Sequence, residues 1–181
     1  NIFTGGSINL SSSYLIYFDS NSINNVFINV NYNNSREYVA SGSQLIRKWH
    51  YQAYVNDTSG NPVSDANITA FPFYNSRGIM EFGSLMTNSS GWTNVASITD
   101  YVNTGSATGG IKNYYSPYAI TVTNPSYPDL AIIYNSSQGN NFNHFIMLNA
   151  SINSNITMIN ITNQSGTIDG TVTRFQNLTI N

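Results

Sequence analysis

Apolar residues along this chain recur with a period of two. Ile8, Leu10, Tyr14, Ile16 and Phe18 share one parity, with small Ser12 in the same row. Val26, Ile28, Val30 and Tyr32 follow, then Leu45, Trp49, Tyr51, Ala53 and Val55. Beyond the turn DTSGNPV come Ala66, Ile68 and Ala70, and shorter runs over 80–86 and 92–98. Tyr118, Ile120 and Val122 alternate, as do Leu130, Ile132 and Tyr134; a run over 142–148 and the set Ile168, Val172, Leu178, Ile180 close the chain. Residues two apart share a strand face, so each row predicts a half-buried strand. Clusters such as DSNSINN, NTGSATGG, NPSYP and NSSQGNN separate the rows, and only the loop near 103–113 is long. No long amphipathic helix is predicted. Short strands with frequent turn signals predict an all-β sandwich rather than an α/β fold. Residues 1–22 read as an N-terminal strand with a polar hinge, and 23–181 as one domain.

Composition narrows the setting. Of 181 residues, 40% are hydrophobic and 13% aromatic, enough for a core, while 8% are charged against roughly 25% in ordinary soluble proteins. The polar surface must come from Asn, Ser and Thr, and there are 29 Asn. A net charge of −2 with no basic run argues against nucleic acid or an anionic membrane surface as partner. With no cysteine, a disulfide scaffold, a zinc–thiolate site and a thiol nucleophile are excluded. No apolar run approaches the ~18 residues of a membrane span. The chain begins at Asn1 rather than Met, which we read as a mature form after signal-peptide removal or as an excised fragment.

Asn-x-Ser/Thr triplets occur at Asn9, Asn33, Asn56, Asn67, Asn88, Asn135, Asn149, Asn155, Asn160, Asn163 and Asn177. About seven would arise by chance in so Asn-rich a chain, so position matters more than number. In a strand, an Asn-apolar-Thr triplet puts its middle residue in the core and its Asn outside. NLS at 9, NIT at 67, 155 and 160, and NLT at 177 have that form. In NITMINIT, 155–162, the parity slips at Met158–Ile159, where a bulge would keep Asn160 outside. Asn33, Asn56, Asn88, Asn135 and Asn163 fall in turn-like segments. Covalent N-glycans are therefore expected, with no other cofactor and no metal, and they imply an outer surface.

Candidate chemistry is sparse. His50 and His144 each sit on an alternating apolar stretch, the setting of a core or edge histidine. Glu37, Glu81 and six Asp propose no catalytic pair, no calcium loop is present, and we expect no enzyme. Lys48 or Lys112, with Glu37 or Glu81 as catalyst and an Asn as partner, has the composition of an intramolecular isopeptide site, although no spacing picks out a triad. Trp49, Trp92 and 13 Tyr suit core filling better than a sugar-stacking site. Few titratable groups also predict tolerance of acid.

Two resemblances add to this reading. YQAYVNDTSGNPVSDANITA, 51–70, with Asp57, Gly60, Pro62, Val63, Ala66 and Ile68, resembles the start of transthyretin-like, carboxypeptidase-regulatory-type sandwich modules, and NSSGWTNVA, 88–96, resembles their second turn-strand unit. The resemblance implies an Ig-like or transthyretin-like fold and no activity. The whole chain, cysteine-free, Asn- and Tyr-rich, dense in triplets and led by a strand-like extension, resembles the glycosylated subunits of archaeal surface filaments of the thread type. That resemblance implies head-to-tail homopolymers in which the N-terminal strand of one subunit (here Ile8, Leu10, Tyr14, Ile16 and Phe18) completes the next subunit's sheet. Such a strand gains both ladder bonds and apolar burial. The filament would serve adhesion or contact with other cells. The alternative is an adhesin or S-layer-associated module whose N-terminal strand pairs within its own fold.

Overall fold

The computed structural model describes residues 1–73, 80–136 and 143–149, and the backbone of 162–163 and 166–167. The strands are β1 (Ile2–Thr4), β2 (Ile16–Phe18), β3 (Asn25–Ile28), β4 (Glu37–Val39), β5 (Gln44–Asp57), β6 (Asn67–Pro72), β7 (Phe82–Met86), β8 (Ala96–Thr104), β9 (Ile111–Tyr114), β10 (Tyr118–Asn124), β11 (Tyr127–Tyr134), β12 (Asn143–Leu148), β13 (Thr162–Asn163) and β14 (Gly166–Thr167). A 3-10 turn covers Asn34–Arg36, and no α-helix occurs among the described residues. The chain forms two compact units, 1–151 and 152–181. In the second, β13 pairs antiparallel with β14.

The first unit is an all-β sandwich. One sheet runs β1-β3-β5-β8-β9, with β12 also on β5; the other runs β11-β10-β6-β7, and β2 pairs with β4 apart from both. β5 is the spine. Its first half pairs parallel with β3 and antiparallel with β8, while its second half takes β12 in parallel. The alternation expected there is complete: Leu45, Trp49, Tyr51, Ala53 and Val55 are all buried. Arg47 fills the remaining position of that row and is buried too. Ala66, Ile68, Ala70, Tyr118, Ile120 and Val122 of the second sheet meet Tyr51, Ala53, Val55, Ile98, Ile146 and Leu148 of the first in one core. A smaller core gathers Ile16, Phe27, Val30, Tyr32, Val39 and Leu45.

The DTSGNPV turn shows why those residues stand there. Asp57 Oδ1 accepts from the backbone N–H of Ser59 at 2.8 Å and of Asn61 at 2.9 Å. Gly60 takes φ +84°, a left-handed conformation that costs a Cβ-bearing residue about 1–2 kcal/mol. Val63 N–H then returns to Val55 O at 2.9 Å and buries its side chain.

Several expectations are corrected. The row Ile8 to Phe18 is not one strand: only 16–18 is extended, and Leu10 and Tyr14 are exposed. The NLS triplet at 9 therefore does not put its leucine in the core, because residues 9–15 belong to no strand. In β3 the buried row is Asn25 and Phe27, not Val26 and Ile28. Asn29, at φ 56°, then turns the chain so that Val30 and Tyr32 face inward. Much of the supposed loop 103–113 is a hairpin, since β8 runs to Thr104 and β9 begins at Ile111. Ile168, Val172, Leu178, Ile180 and the parity slip at Met158–Ile159 lie outside the described residues.

Candidate functional site

The chain has only two lysines and two glutamates, and the fold pairs them. Lys48 Nζ lies 2.9 Å from Glu81 Oε1, and Lys112 Nζ lies 3.3 Å from Glu37 Oε2. Both pairs sit where strands bring together residues far apart in sequence.

Glu37 opens β4, and its side chain is fully buried. Tyr32 donates to its Oε1 at 2.6 Å, and Tyr101 donates to the same oxygen. Asn103 Nδ2 donates to Oε2 at 2.9 Å, beside Lys112. Asn103 and Lys112 are direct cross-strand partners on β8 and β9, so the hairpin itself sets amide and amine side by side. Lys112 Nζ also donates to Asn34 O and lies 5.3 Å from the centre of the Tyr101 ring. Burial, followed by the charge of Glu37, pushes the Tyr101 and Tyr32 phenols well above their ordinary range. Both remain neutral donors. Asn103 Oδ1 is buried without a hydrogen-bond partner, so the amide carbonyl has an open acceptor position.

Next to this cluster, the Arg47 guanidinium stacks 4.6 Å from the ring centres of both Tyr32 and Trp49. Its Nε is 4.0 Å from Asp100 Oδ2, which accepts the Trp49 indole N–H at 3.1 Å. Burial raises the Asp100 pKa, opposed by the Trp49 bond and by Arg47. At the other pair, Glu81 accepts from Lys48, from Thr99 Oγ1 at 2.9 Å and from Tyr118 at 3.1 Å. No side-chain amide reaches it among the hydrogen bonds of the described residues.

Sequence reasoning singled out Lys48, Lys112, Glu37 and Glu81 but missed Asn103, Tyr32, Tyr101, Arg47 and Asp100. The signal for Asn103 was present. NTGSATGGIK is a Gly-rich turn flanked by alternating residues, and reading it as a hairpin places 103 opposite 112.

The two histidines stand apart from this cluster. His144 is half-buried on β12, with Nδ1 3.0 Å from Tyr51 OH and its ring 4.9 Å from that of Tyr134. His50 lies on β5 and is half-buried. Among the described residues, no three His, Asp or Glu side chains converge as metal ligands. Trp92 contacts Tyr54 and Phe145 in a partly exposed aromatic row, with ring centres 4.9 and 5.9 Å away.

The N-terminal segment lies along β3 through its backbone. β1 pairs parallel with it, Ile2 to Val26 and Thr4 to Ile28. Further on, Gly5 N–H donates to Ile28 O at 2.9 Å, Asn31 N–H to Gly6 O at 2.8 Å and Ile8 N–H to Asn31 O at 2.8 Å. Side-chain burial is slight: Ile2 is 71% exposed, Leu10 60% and Tyr14 47%, and Ile8 is half-buried. Phe3 makes an edge contact to Phe27, ring centres 5.0 Å apart, and is 50% exposed. From Leu15 onward the chain belongs to the body, with Ile16 buried, Phe18 half-buried, and Phe18 O accepting from Ala40 N–H at 2.9 Å.

Of the triplet asparagines, Asn9, Asn33, Asn88 and Asn149 are exposed, and Asn56, Asn67 and Asn135 are half-buried. Asn33 Oδ1 accepts from the N–H and hydroxyl of Ser35, and Asn88 Oδ1 from the N–H of Ser90 and Trp92. These local turns use the side-chain oxygen and leave the nitrogen that would carry a sugar outside those bonds. Asn155, Asn160 and Asn177 lie outside the described residues, as does the side chain of Asn163. No family model matches the chain, and no curated protein matches it.

Proposed function

We propose that this chain is the structural subunit of an extracellular, N-glycosylated filament, joined head to tail through its N-terminal segment. The observation that carries the reading is the binding mode of residues 1–14. The segment is held through its backbone by bonds to β3 and Asn31 and by Arg36, which donates to Leu10 O at 3.0 Å and to Ser13 O at 3.3 Å. There is little apolar burial beyond the Tyr14 ring against Tyr38. Bonds to the segment's backbone are independent of its sequence. The same segment from a second copy forms them equally well, and exchange of identical elements is an inexpensive route to assembly. Leaving its own body costs the segment little apolar burial. The vacated β3 edge, with Phe27 beneath it, then receives the next subunit's segment. The hinge falls before Leu15, since 15–22 is held by the body. Sparse charge and the exposed triplet asparagines suit a sugar-coated surface outside the cell, facing other cells or substrata. Among the described residues no helix is long and apolar enough to cross a membrane. The turn at 57–63 supports a transthyretin-like or Ig-like variety of sandwich.

A second reading, a surface adhesin module, is favoured by the pairing of β1 within the chain. Deleting residues 1–14 separates the two. For the filament subunit, the shortened chain keeps its β-rich circular dichroism and most of its thermal stability but forms no fibres under the electron microscope. A synthetic 1–14 peptide binds it. Native material seen only as single particles, or fibres formed without residues 1–14, would sink the proposal.

A further inference from the structure

We propose that Lys112 and Asn103 become joined by an intramolecular isopeptide bond, with Glu37 as the proton-transfer catalyst. Three observations converge. Amine and amide are cross-strand partners on β8 and β9. One oxygen, Glu37 Oε2, contacts both the nucleophile, Lys112 Nζ at 3.3 Å, and the leaving group, Asn103 Nδ2 at 2.9 Å. Asn103 is also buried and the Glu37 side chain fully so, which limits the access of water to the amide, while the Lys112 side chain is 22% exposed.

The chemistry balances without an oxidant or a cofactor. A proton passes from the Lys112 ammonium to Glu37 Oε2, leaving a neutral amine as the nucleophile and a carboxylic acid. Nζ attacks Asn103 Cγ, forming the new C–N bond. Glu37 gives its proton to Nδ2 and takes up the second proton released by Nζ, which also passes to the leaving nitrogen. The Cγ–Nδ2 bond breaks and ammonium departs. Lys112 ends as an amide N–H, and Glu37 is regenerated. Tyr32 and Tyr101 are positioning residues that fix Oε1 by donating to it, which leaves Oε2 as the oxygen that moves protons. Fixing the groups in a reactive arrangement replaces an encounter in solution. At Lys48 and Glu81 no amide takes the third place among the described residues, where Glu81 is bonded to Thr99 and Tyr118.

The bond would clamp β9, the edge strand of its sheet, to β8. The test uses the full chain produced without glycans. Its intact mass is expected to fall below the sequence mass by one ammonia. After denaturation, trypsin is expected not to cut after Lys112, so that 78–174 replaces 78–112 and 113–174. Fragmentation should place the link between 103 and 112. Glu37→Gln and Lys112→Arg are each expected to restore the full mass, and Glu37→Gln also to restore cleavage after Lys112. A wild-type chain at full mass overturns the proposal. So does a mass deficit that leaves Lys112 cleavable, which is the signature of a succinimide, or one that persists in Lys112→Arg. A link that persists in Glu37→Gln overturns the role of Glu37.

Discussion

Trp49 reaches across from β5 to β8 and donates its indole N–H to Asp100 Oδ2 at 3.1 Å. A bulge makes this contact possible. Arg47 pairs with Tyr101 and Lys48 with Thr99, so Asp100 is the extra residue, and its side chain turns into the core beside Trp49. Its Oδ1 has no partner, and the indole therefore carries much of the carboxylate's solvation.

Trp49→Phe removes that donor while keeping an aromatic in the core. The expected loss is about 1–3 kcal/mol at neutral pH, the cost of a buried acceptor left unpaired. It should depend on pH in a defined sense. Burial raises the Asp100 pKa above its ordinary 3.8 in the folded state. The folded chain then takes up a proton before the unfolded chain does, and gains stability as pH falls through that window. The variant's deficit is full above the folded pKa and shrinks below it. Urea unfolding at pH 7 and at pH 4 checks this; an equal deficit at both would show that the indole's bulk, not its N–H, is what matters.

Gly105→Ala should be among the most damaging small substitutions. A Cβ there would lie 1.8 Å from Ala40 O and 2.8 Å from Ser43 O, both backbone atoms that cannot rotate away. The 105–110 loop would have to lift from the segment after β4 and lose the bond from Gly105 N–H to Ser43 O. Overpacking of this kind costs about 1–3 kcal/mol. Gly60→Ala meets nothing within 4 Å and bears only its left-handed φ, worth about 1–2 kcal/mol. Denaturant midpoints should rank Gly105→Ala as the less stable.

Much of this could be read from residue order. β5, β6 and β10 alternate strictly, and every apolar residue expected inward there is buried, because each strand has one face on a shared core. Reading failed where the chain pairs through its backbone or turns on an unusual dihedral. β1 and β2 carry three residues each, too few for periodicity to register. Asn29 reverses the parity of β3 through a left-handed φ that its letter only permits. Arg47 was passed over as a gap in an apolar row, yet its guanidinium lies between aromatic rings from β5, β8 and the segment between β3 and β4. Glu37, on β4, meets Asn103 and Lys112 of the β8–β9 hairpin only through tertiary packing, at sequence distances no local pattern spans.

Glycan occupancy should follow the exposure of the asparagine. Asn9, Asn33, Asn88 and Asn149 are exposed, and occupancy is expected to be highest there. Asn67 is half-buried in β6, with its Oδ1 sealed from water, and Asn135 accepts from Ser116 Oγ at 2.7 Å. Attachment at either requires the side chain to turn away from these surroundings before folding finishes. Glycopeptide mapping of native material tests the order. Full occupancy at Asn67 and Asn135 with bare Asn33 and Asn88 would contradict it.

Acid response should be small because the buried groups oppose one another. Burial lowers the pKa of His144 below 6.5, so the unfolded chain binds its proton first and stability is lost as pH falls below 6.5. Asp100 acts in the opposite sense at lower pH, above 3.8. Asp57, held below 3.8 by its bonds to Asn61, Ser59 and Gly60, contributes a loss only beneath that value. His144→Phe isolates the first effect. The variant gives up the contact with Tyr51, worth about 1 kcal/mol at pH 7, but its stability should change less between pH 7 and pH 5 than that of the parent. Calorimetric Tm values at the two pH values measure the difference. Parallel slopes would mean that His144 keeps its ordinary pKa in the fold and that acid sensitivity in this range arises elsewhere.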